Sequence, residues 1–197
     1  MTPFVLTVSR EFGSGGRTVA KAVAERLGVP YYDKNMIELV AEKTGLHPEF
    51  VEQRGEHAPS SSHFAYAFIS RTPSGVSSDD MLWQAQSHVV QELAEKGSCV
   101  ILGRCSDYVL RDRPDAVHVF ICADADFKAD RIVNLYGETH ARPDRRLAEK
   151  DKKRRINYHY YTGRKWGDPK NYDLVLNTAR LGIDATVELI VSYLSAR

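Results

Sequence analysis

The segment Glu11-Phe12-Gly13-Ser14-Gly15-Gly16-Arg17-Thr18 constrains this chain more than any other. It follows a short apolar, β-branched run, Phe4 to Val8. It precedes Val19, Val23, Ala24 and Leu27, which recur at helical spacing until Gly28. Strand, glycine-rich turn and helix in that order make the opening unit of a phosphate-binding α/β protein. Residues without a Cβ let the backbone bend sharply and bring successive amides toward one anion. The helix that follows adds the unpaired amides of its first turn and the positive end of its dipole. Gly13, Ser14, Gly15, Gly16, Arg17 and Thr18 are therefore the candidate ATP phosphate-binding residues. In the pattern G-x-x-x-x-G-K-[ST], Gly16-Arg17-Thr18 fits the last three places with Arg for Lys, and Glu11 stands where the first glycine would be. Arg17 brings a permanent charge to the β and γ phosphates, and Thr18 can place its hydroxyl on a magnesium ion.

The rest of the chain continues the alternation. Tyr31-Tyr32 is a brief extended piece after Pro30. Asp33 reads as the N-cap of a helix carrying Met36, Ile37, Leu39 and Val40, which Gly45 ends. A helix is predicted from about Asp79 to Lys96, with Leu82, Val89, Val90 and Leu93 on one face. Cys99 to Leu102, Val117 to Cys122 and Leu174 to Leu176 are continuous apolar runs of strand length, as in a parallel sheet covered on both faces. A last helix is predicted from about Ile183 to Leu194. Residues from about 46 to 80 are rich in Ser, Pro and Gly and read as an insertion holding a helix or two. The expected architecture is an α/β three-layer sandwich of about five parallel strands, in one domain over 1–197.

Composition narrows the partners. Hydrophobic residues make up 43% and charged residues 27% of the chain, ordinary globular usage that argues against disorder. The 27 basic and 26 acidic residues leave a net charge of +1, so neither a nucleic-acid nor a membrane-surface partner is expected. No apolar run is long enough to span a bilayer, and Met1 to Val5 lacks the basic head of a signal peptide. Cys99, Cys105 and Cys122 form no C-x-x-C pair and read as reduced, buried thiols. A cytoplasmic location is expected.

Ser9 through Gly28 (SREFGSGGRTVAKAVAERLG), followed by Pro30-Tyr31-Tyr32-Asp33-Lys34, resembles the start of the cytidylate kinase-like family, in the P-loop nucleoside-monophosphate kinase group. Val100-Ile101-Leu102-Gly103-Arg104-Cys105 and Tyr158 to Asn177 (YHYYTGRKWGDPKNYDLVLN) share the likeness. It covers nearly the whole chain and is weakest from about 46 to 80. The resemblance implies a P-loop NTPase-type fold, a helical acceptor-binding insertion at about 46–80 and a lid at about 138–168. It also implies ATP with Mg2+ as phosphate donor and a nucleoside monophosphate, most plausibly CMP or dCMP, as acceptor. On this likeness Gly13 to Thr18 hold the ATP phosphates, Asp33 lies near the acceptor nucleotide, Arg104 clamps the acceptor phosphate, and Arg131 begins the segment leading to the lid. Lys150, Asp151, Arg154 and Arg155 resemble the lid's charged helix without its R-D-x-x-D-x-x-R spacing. Leu102 stands where cytidylate kinases carry an aspartate that supports the magnesium ion.

Phosphoryl transfer asks for two substrates held in line, exclusion of water, and positive charge around the moving group. Arg104 suits an acceptor phosphate because a guanidinium binds two oxygens at once, and strand carboxyl ends are where ligands gather in open α/β sheets. The cationic run from Arg142 to Arg155 reads as a solvated helix face from which one or two residues close over the phosphates. Arg17, Arg131 and Arg154 are the catalytic candidates, with Lys150 and Arg155 the further lid candidates. Asp33 fits a helix cap and a nucleotide contact equally. Tyr158, Tyr160, Tyr161 and Trp166 read as packing between lid and core, with stacking on a base the alternative. The same residues fit two other functions: a P-loop kinase for another small metabolite, or a catalytically weak nucleotide-binding sensor. For an ion unsupported by Leu102, Glu11 and Asp107 are the alternative carboxylates.

Overall fold

The structure is a computed structural model that describes residues 2–55, 78–137 and 142–197. The central part of the 46–80 insertion and the start of the 138–168 stretch lie outside the described residues. The described chain runs β1 (Val5–Arg10), α1 (Gly16–Leu27), β2 (Tyr31–Tyr32), α2 (Asn35–Thr44), α3 (Pro48–Arg54), α4 (Ser78–Glu95), β3 (Cys99–Leu102) and α5 (Ser106–Val109). It continues with β4 (Ala116–Cys122), α6 (Ala125–Asn134), α7 (Pro143–Thr162), a 3-10 turn (Pro169–Asn171), β5 (Leu174–Asn177), α8 (Thr178–Leu181) and α9 (Ile183–Ser195).

The five strands form one sheet in the order β2-β3-β1-β4-β5, and every pairing is parallel. This is the expected α/β sandwich, and period-two alternation divides its core. Leu6, Val8, Val100, Leu102, Val117, Val119 and Ile121 pack with Val19 and Val23 of α1 and Val187, Ile190 and Leu194 of α9. On the opposite face Val5, Cys99 and Ile101 pack under Met36, Ile37 and Val40 of α2, Val51 of α3, and Leu82, Val89, Val90 and Leu93 of α4. Burial on both faces is why β3 is a continuous apolar run, whereas β1 and β4 carry Thr7 and His118, whose side chains meet at 2.7 Å.

One helix start differs from expectation. Lys34, not Asp33, precedes α2, and no side chain caps that helix. The Asp33 amide instead donates to Asn35 Oδ1 at 2.9 Å, while its carboxylate is drawn off toward Arg17. Among the described residues no helix is long and apolar enough to cross a membrane.

β1 is central, with β3 on one side and β4 on the other. The chain leaving β1 turns toward β2, and the chain leaving β4 turns toward β5. Such a switch opens a crevice at the strands' carboxyl ends. The glycine-rich turn, the Gly103-Arg104 corner and α7 all border that crevice.

Candidate active site

The turn after β1 is held from several sides. Gly13 and Gly15 have φ of 79° and 81°, the left-handed region that side chains disfavour. Neither has room for a Cβ: one on Gly13 would lie 2.9 Å from the Lys128 carbonyl oxygen, and one on Gly15 would lie 2.6 Å from Ile183 Cδ1. Ser14 Oγ donates to the Glu11 carbonyl at 2.9 Å, and the Ser14 carbonyl accepts from Thr178 Oγ1 at 2.6 Å. Glu11 accepts from Lys128 Nζ at 2.8 Å and from the Ala123 amide at 3.2 Å. The Phe12 amide donates to Asp151 at 2.7 Å. With the backbone fixed in this way, the amides of Gly13, Gly15, Gly16, Arg17 and Thr18 have no protein acceptor among the described residues. Unsatisfied donors at the mouth of a helix are a ready-made anion site.

A pocket of about 220 Å³ opens over the turn, lined by Arg10 to Gly13, Gly15, Gly16, Arg17, Tyr136 and Arg154. A second pocket, of about 230 Å³, lies beside it. Arg10, Phe12, Arg17 and Arg154 line both. The second pocket adds four cations, Lys34, Arg104, Lys150 and Lys153, against two carboxylates, Asp33 and Glu52. Two pockets meeting at a seam that carries three arginines suit two phosphorylated molecules brought end to end.

Arg104 enters the second pocket from a strained corner. Gly103, Arg104 and Cys105 are three successive left-handed residues, with φ of 71°, 59° and 52°. Such backbone is costly for residues with a Cβ, and it is retained where surrounding contacts enforce it. Arg104 Nη1 donates to Gln86 Oε1 of α4 at 2.9 Å. The guanidinium lies over Gly55, where a Cβ would collide with Nη1. Arg17 leans across the seam toward the same pocket, its Nε 2.8 Å from Asp33 Oδ2 and its Nη2 3.4 Å from Oδ1. Tyr31 donates its hydroxyl to Asp33 as well, and burial next to that carboxylate pushes the phenol's pKa far up.

Helix α7 delivers Arg154. Its inward stripe is Leu147, Asp151, Arg154 and Tyr158, and the Arg154 side chain is only 15% exposed. Arg154 Nη1 lies 3.4 Å from Asp151, and both Lys150 and Arg154 sit over the Phe12 ring, at 5.9 and 5.8 Å from its centroid. The far half of α7 is fixed to the core. Tyr158 donates to the buried Asp107 at 2.7 Å, and Tyr161 stacks on Trp83 of α4 with centroids 4.4 Å apart. Burial raises the pKa of Asp107 and of Asp151 against hydrogen bonds and nearby cations that favour their charged forms.

The structure divides the sequence candidates. Arg17, Arg154, Lys150, Asp33 and Arg104 converge on the two pockets. Thr18 and Arg131 stand together beside the turn, Arg131 Nη2 donating to Thr18 Oγ1 at 3.3 Å, and neither lines either pocket. Arg155 is exposed and also lines neither. Arg10, Phe12 and Tyr136 line the pockets without having been singled out as site residues in the sequence, and Lys153 was marked there only as one member of the cationic run. Arg10 could have been noticed as a cation standing five residues before Gly15, the interval between the two glycines of the phosphate-loop pattern.

Among the described residues, the donors near the turn do not fit a magnesium ion held by protein side chains. Leu102 is 1% exposed and packed beneath α1. Thr18 is turned toward Arg131. Glu11, the one carboxylate among the described residues that line the turn pocket, is bound to Lys128, and Asp107 is tied to Ser9 and Tyr158.

A parallel sheet in this order, a phosphate loop after its first strand and an adjoining cationic pocket are the build of a P-loop phosphotransferase. The chain belongs to the cytidylate kinase-like family, which matches residues 5–180. The cytidylate kinase of Archaeoglobus fulgidus is 29% identical over 199 residues, covering 98% of this chain and 95% of that protein. The crystal structure of an uncharacterised protein from Eubacterium ventriosum superposes with a TM-score of 0.74 at 27% identity, covering 98% of this chain and 99% of the other. Shikimate kinase from Bacteroides thetaiotaomicron shares the fold, with a TM-score of 0.57 at 15% identity over 98% of this chain and 99% of that one.

Proposed function

We propose that this protein transfers the γ-phosphoryl group of ATP to a nucleoside monophosphate, with CMP or dCMP the favoured acceptor. The seam carries this reading: Arg10, Phe12, Arg17 and Arg154 line both pockets. ATP phosphates on the turn would put the γ-phosphate at the seam, facing an acceptor phosphate clamped by Arg104 from the other side. The cytidine preference follows the relatives named cytidylate kinase.

In this reaction an acceptor phosphate oxygen attacks the γ-phosphorus. The bond from phosphorus to the β–γ bridging oxygen breaks, and its electron pair leaves with ADP. A phosphate monoester carries about −1.5 to −2 charges at pH 7, so the nucleophile needs no general base. The seam's arginines, permanently protonated, could not act as one. Their work is to bring like-charged phosphates together and to offset the charge spread over the transferring group. Magnesium is expected to arrive with ATP, held by phosphate oxygens and water and supplying further neutralisation. Lys150 and Arg154, carried on α7, close the pockets from above, while Arg131 and Thr18 flank the turn.

A coupled ADP-release assay across the common nucleoside monophosphates, with phosphosugars and non-nucleotide alcohols as a second panel, tests the proposal. ADP release that depends on a nucleoside monophosphate is the expected result. Release with only the second panel would move the acceptor to another metabolite class. ATP binding without acceptor-dependent release would leave a nucleotide-binding sensor.

A further inference from the structure

We propose that Arg10, the last residue of β1, supplies the phosphate-facing cation that the turn lacks, and that the missing side chain at Gly16 is what makes room for it. The inference rests on the reading of the turn pocket as the ATP site.

Gly15 is the left-handed residue immediately before α1, and Gly16 is the first helical residue. Counting G-x-x-x-x-G-K-[ST] with Gly15 as the second glycine puts Gly16 in the lysine place, Arg17 in the hydroxyl place and Arg10 in the place of the first glycine. Counting one residue later puts Arg17 and Thr18 in the last two places. In a phosphate loop the last two residues of the pattern both face the phosphates. Thr18 is exposed, bonded to Arg131 and absent from the pocket lining, whereas Gly16 and Arg17 line the pocket. The earlier register is the one the geometry supports.

In that register two departures from the pattern are complementary. The place that should carry a long cation has no side chain, and a place that should have none carries an arginine. The two meet in space. A Cβ built on Gly16 would collide with Arg10 Cβ, lie 3.0 Å from Arg10 Cγ and 3.3 Å from Ile121 Cβ. The stem of Arg10 thus fills the volume that a side chain at position 16 would take. From there Arg10 lines the turn pocket, the acceptor pocket and a narrow cleft of about 30 Å³ between the Gly103 corner and α7. A guanidinium at that junction is always charged and can bind two phosphate oxygens at once.

Calorimetric titration of ADP, ATP and AMP into the full chain tests this. Arg10→Ala should weaken ADP and ATP binding by about tenfold to a hundredfold, the scale of a charge-assisted hydrogen bond, and AMP binding by less. Arg10→Lys should keep most of the binding. Gly16→Lys alone should also weaken ADP, because its side chain competes with Arg10 for one volume. The double variant Arg10→Gly/Gly16→Lys, which moves the cation to the usual place, should bind ADP better than either single variant. Thermal unfolding of each variant separates lost contacts from lost folding. Wild-type ADP affinity in a folded Arg10→Ala protein would overturn the proposal, and so would additive losses in the double variant. The readout needs no acceptor. A failed acceptor assay beside intact, Arg10-dependent ADP binding therefore counts against the monophosphate-kinase reading and not against this one.

Discussion

The Phe12 amide donates to the buried Asp151 carboxylate at 2.7 Å, across 139 residues of sequence. That bond ties the phosphate turn to α7, and Asp151 also holds Arg154 at 3.4 Å and stands 4.0 Å from Lys128. One carboxylate thereby sets the turn's backbone and aims a seam arginine together.

Asp151→Ala should therefore cost both stability and turnover. A charged acceptor removed from buried donors typically costs about 1–3 kcal/mol, which a shift in thermal midpoint or in denaturant midpoint will register. Turnover should fall further than the unfolded fraction explains, because Arg154 loses one of the contacts that aim it at the seam. Asp151→Asn keeps an acceptor for the Phe12 amide and should retain more of the stability. Equal losses in the two variants would contradict the account.

The Arg17–Asp33 pair should behave in the opposite way. The Arg17 side chain is 52% exposed, so the pair contributes under about 1 kcal/mol to folding. Arg17→Ala should leave the melting temperature nearly unchanged and lower kcat/KM by about tenfold or more, the scale of one charged hydrogen bond to the transferring group. Steady-state kinetics beside a thermal melt checks the split.

Arg104 depends on an absent side chain. Gly55→Ala would push a Cβ into the guanidinium's place, 2.6 Å from the Val51 carbonyl oxygen and 2.7 Å from Gln86 Oε1. The acceptor KM should rise by about tenfold while the KM for ATP stays within about twofold, since the effect falls on one charge-assisted clamp. An equal rise in both would place Arg104 elsewhere than at the acceptor.

Asp107 gives a pH signature. Burial raises its pKa above the ordinary 3.8, more than the Tyr158 and Ser9 hydroxyls lower it. The folded chain thus holds that proton more tightly than the unfolded chain. The stability this confers is full below pH 3.8 and is lost as pH rises through the folded value. Asp107→Asn cannot ionise, so its stability relative to wild type should increase with pH over that window. Denaturant unfolding at a series of pH values measures the difference, and a flat difference would contradict it. Asp107→Ala should lose about 1–3 kcal/mol by stranding the Tyr158 hydroxyl.

Much of this fold was legible because the core is apolar: β3 is an unbroken buried run, β4 is interrupted only by His118, and α1 and α4 show a clear stripe. β5 reads as apolar too, although its Val175 is 40% exposed. The turn was legible from its glycines, but its register was not. Gly15 and Gly16 are adjacent, and the sequence favours the later alignment through Gly16, Arg17 and Thr18. The left-handed Gly15 before α1, the lining of the pocket by Gly16 and the outward direction of Thr18 select the earlier one. Arg10 ends a strand, and its five-residue spacing from Gly15 gains meaning only when Gly16 is seen against its stem. The inward face of α7 includes Asp151 and Arg154, so hydrophobic periodicity could not reveal which side of that cationic helix packs. Asp33 looked equally suited to a cap and a contact, and the Arg17 charge across the seam drew it away from the helix.

The most direct test of the central claim is binding of a bisubstrate probe, adenosine and cytidine joined through their 5′ oxygens by five phosphates. If the two pockets meet end to end at Arg10, Arg17 and Arg154, the probe should displace both ATP and CMP. It should also bind at least about tenfold more tightly than ATP alone, an advantage that comes from linking two sites. A probe that binds no better than ATP and leaves CMP bound would contradict the account.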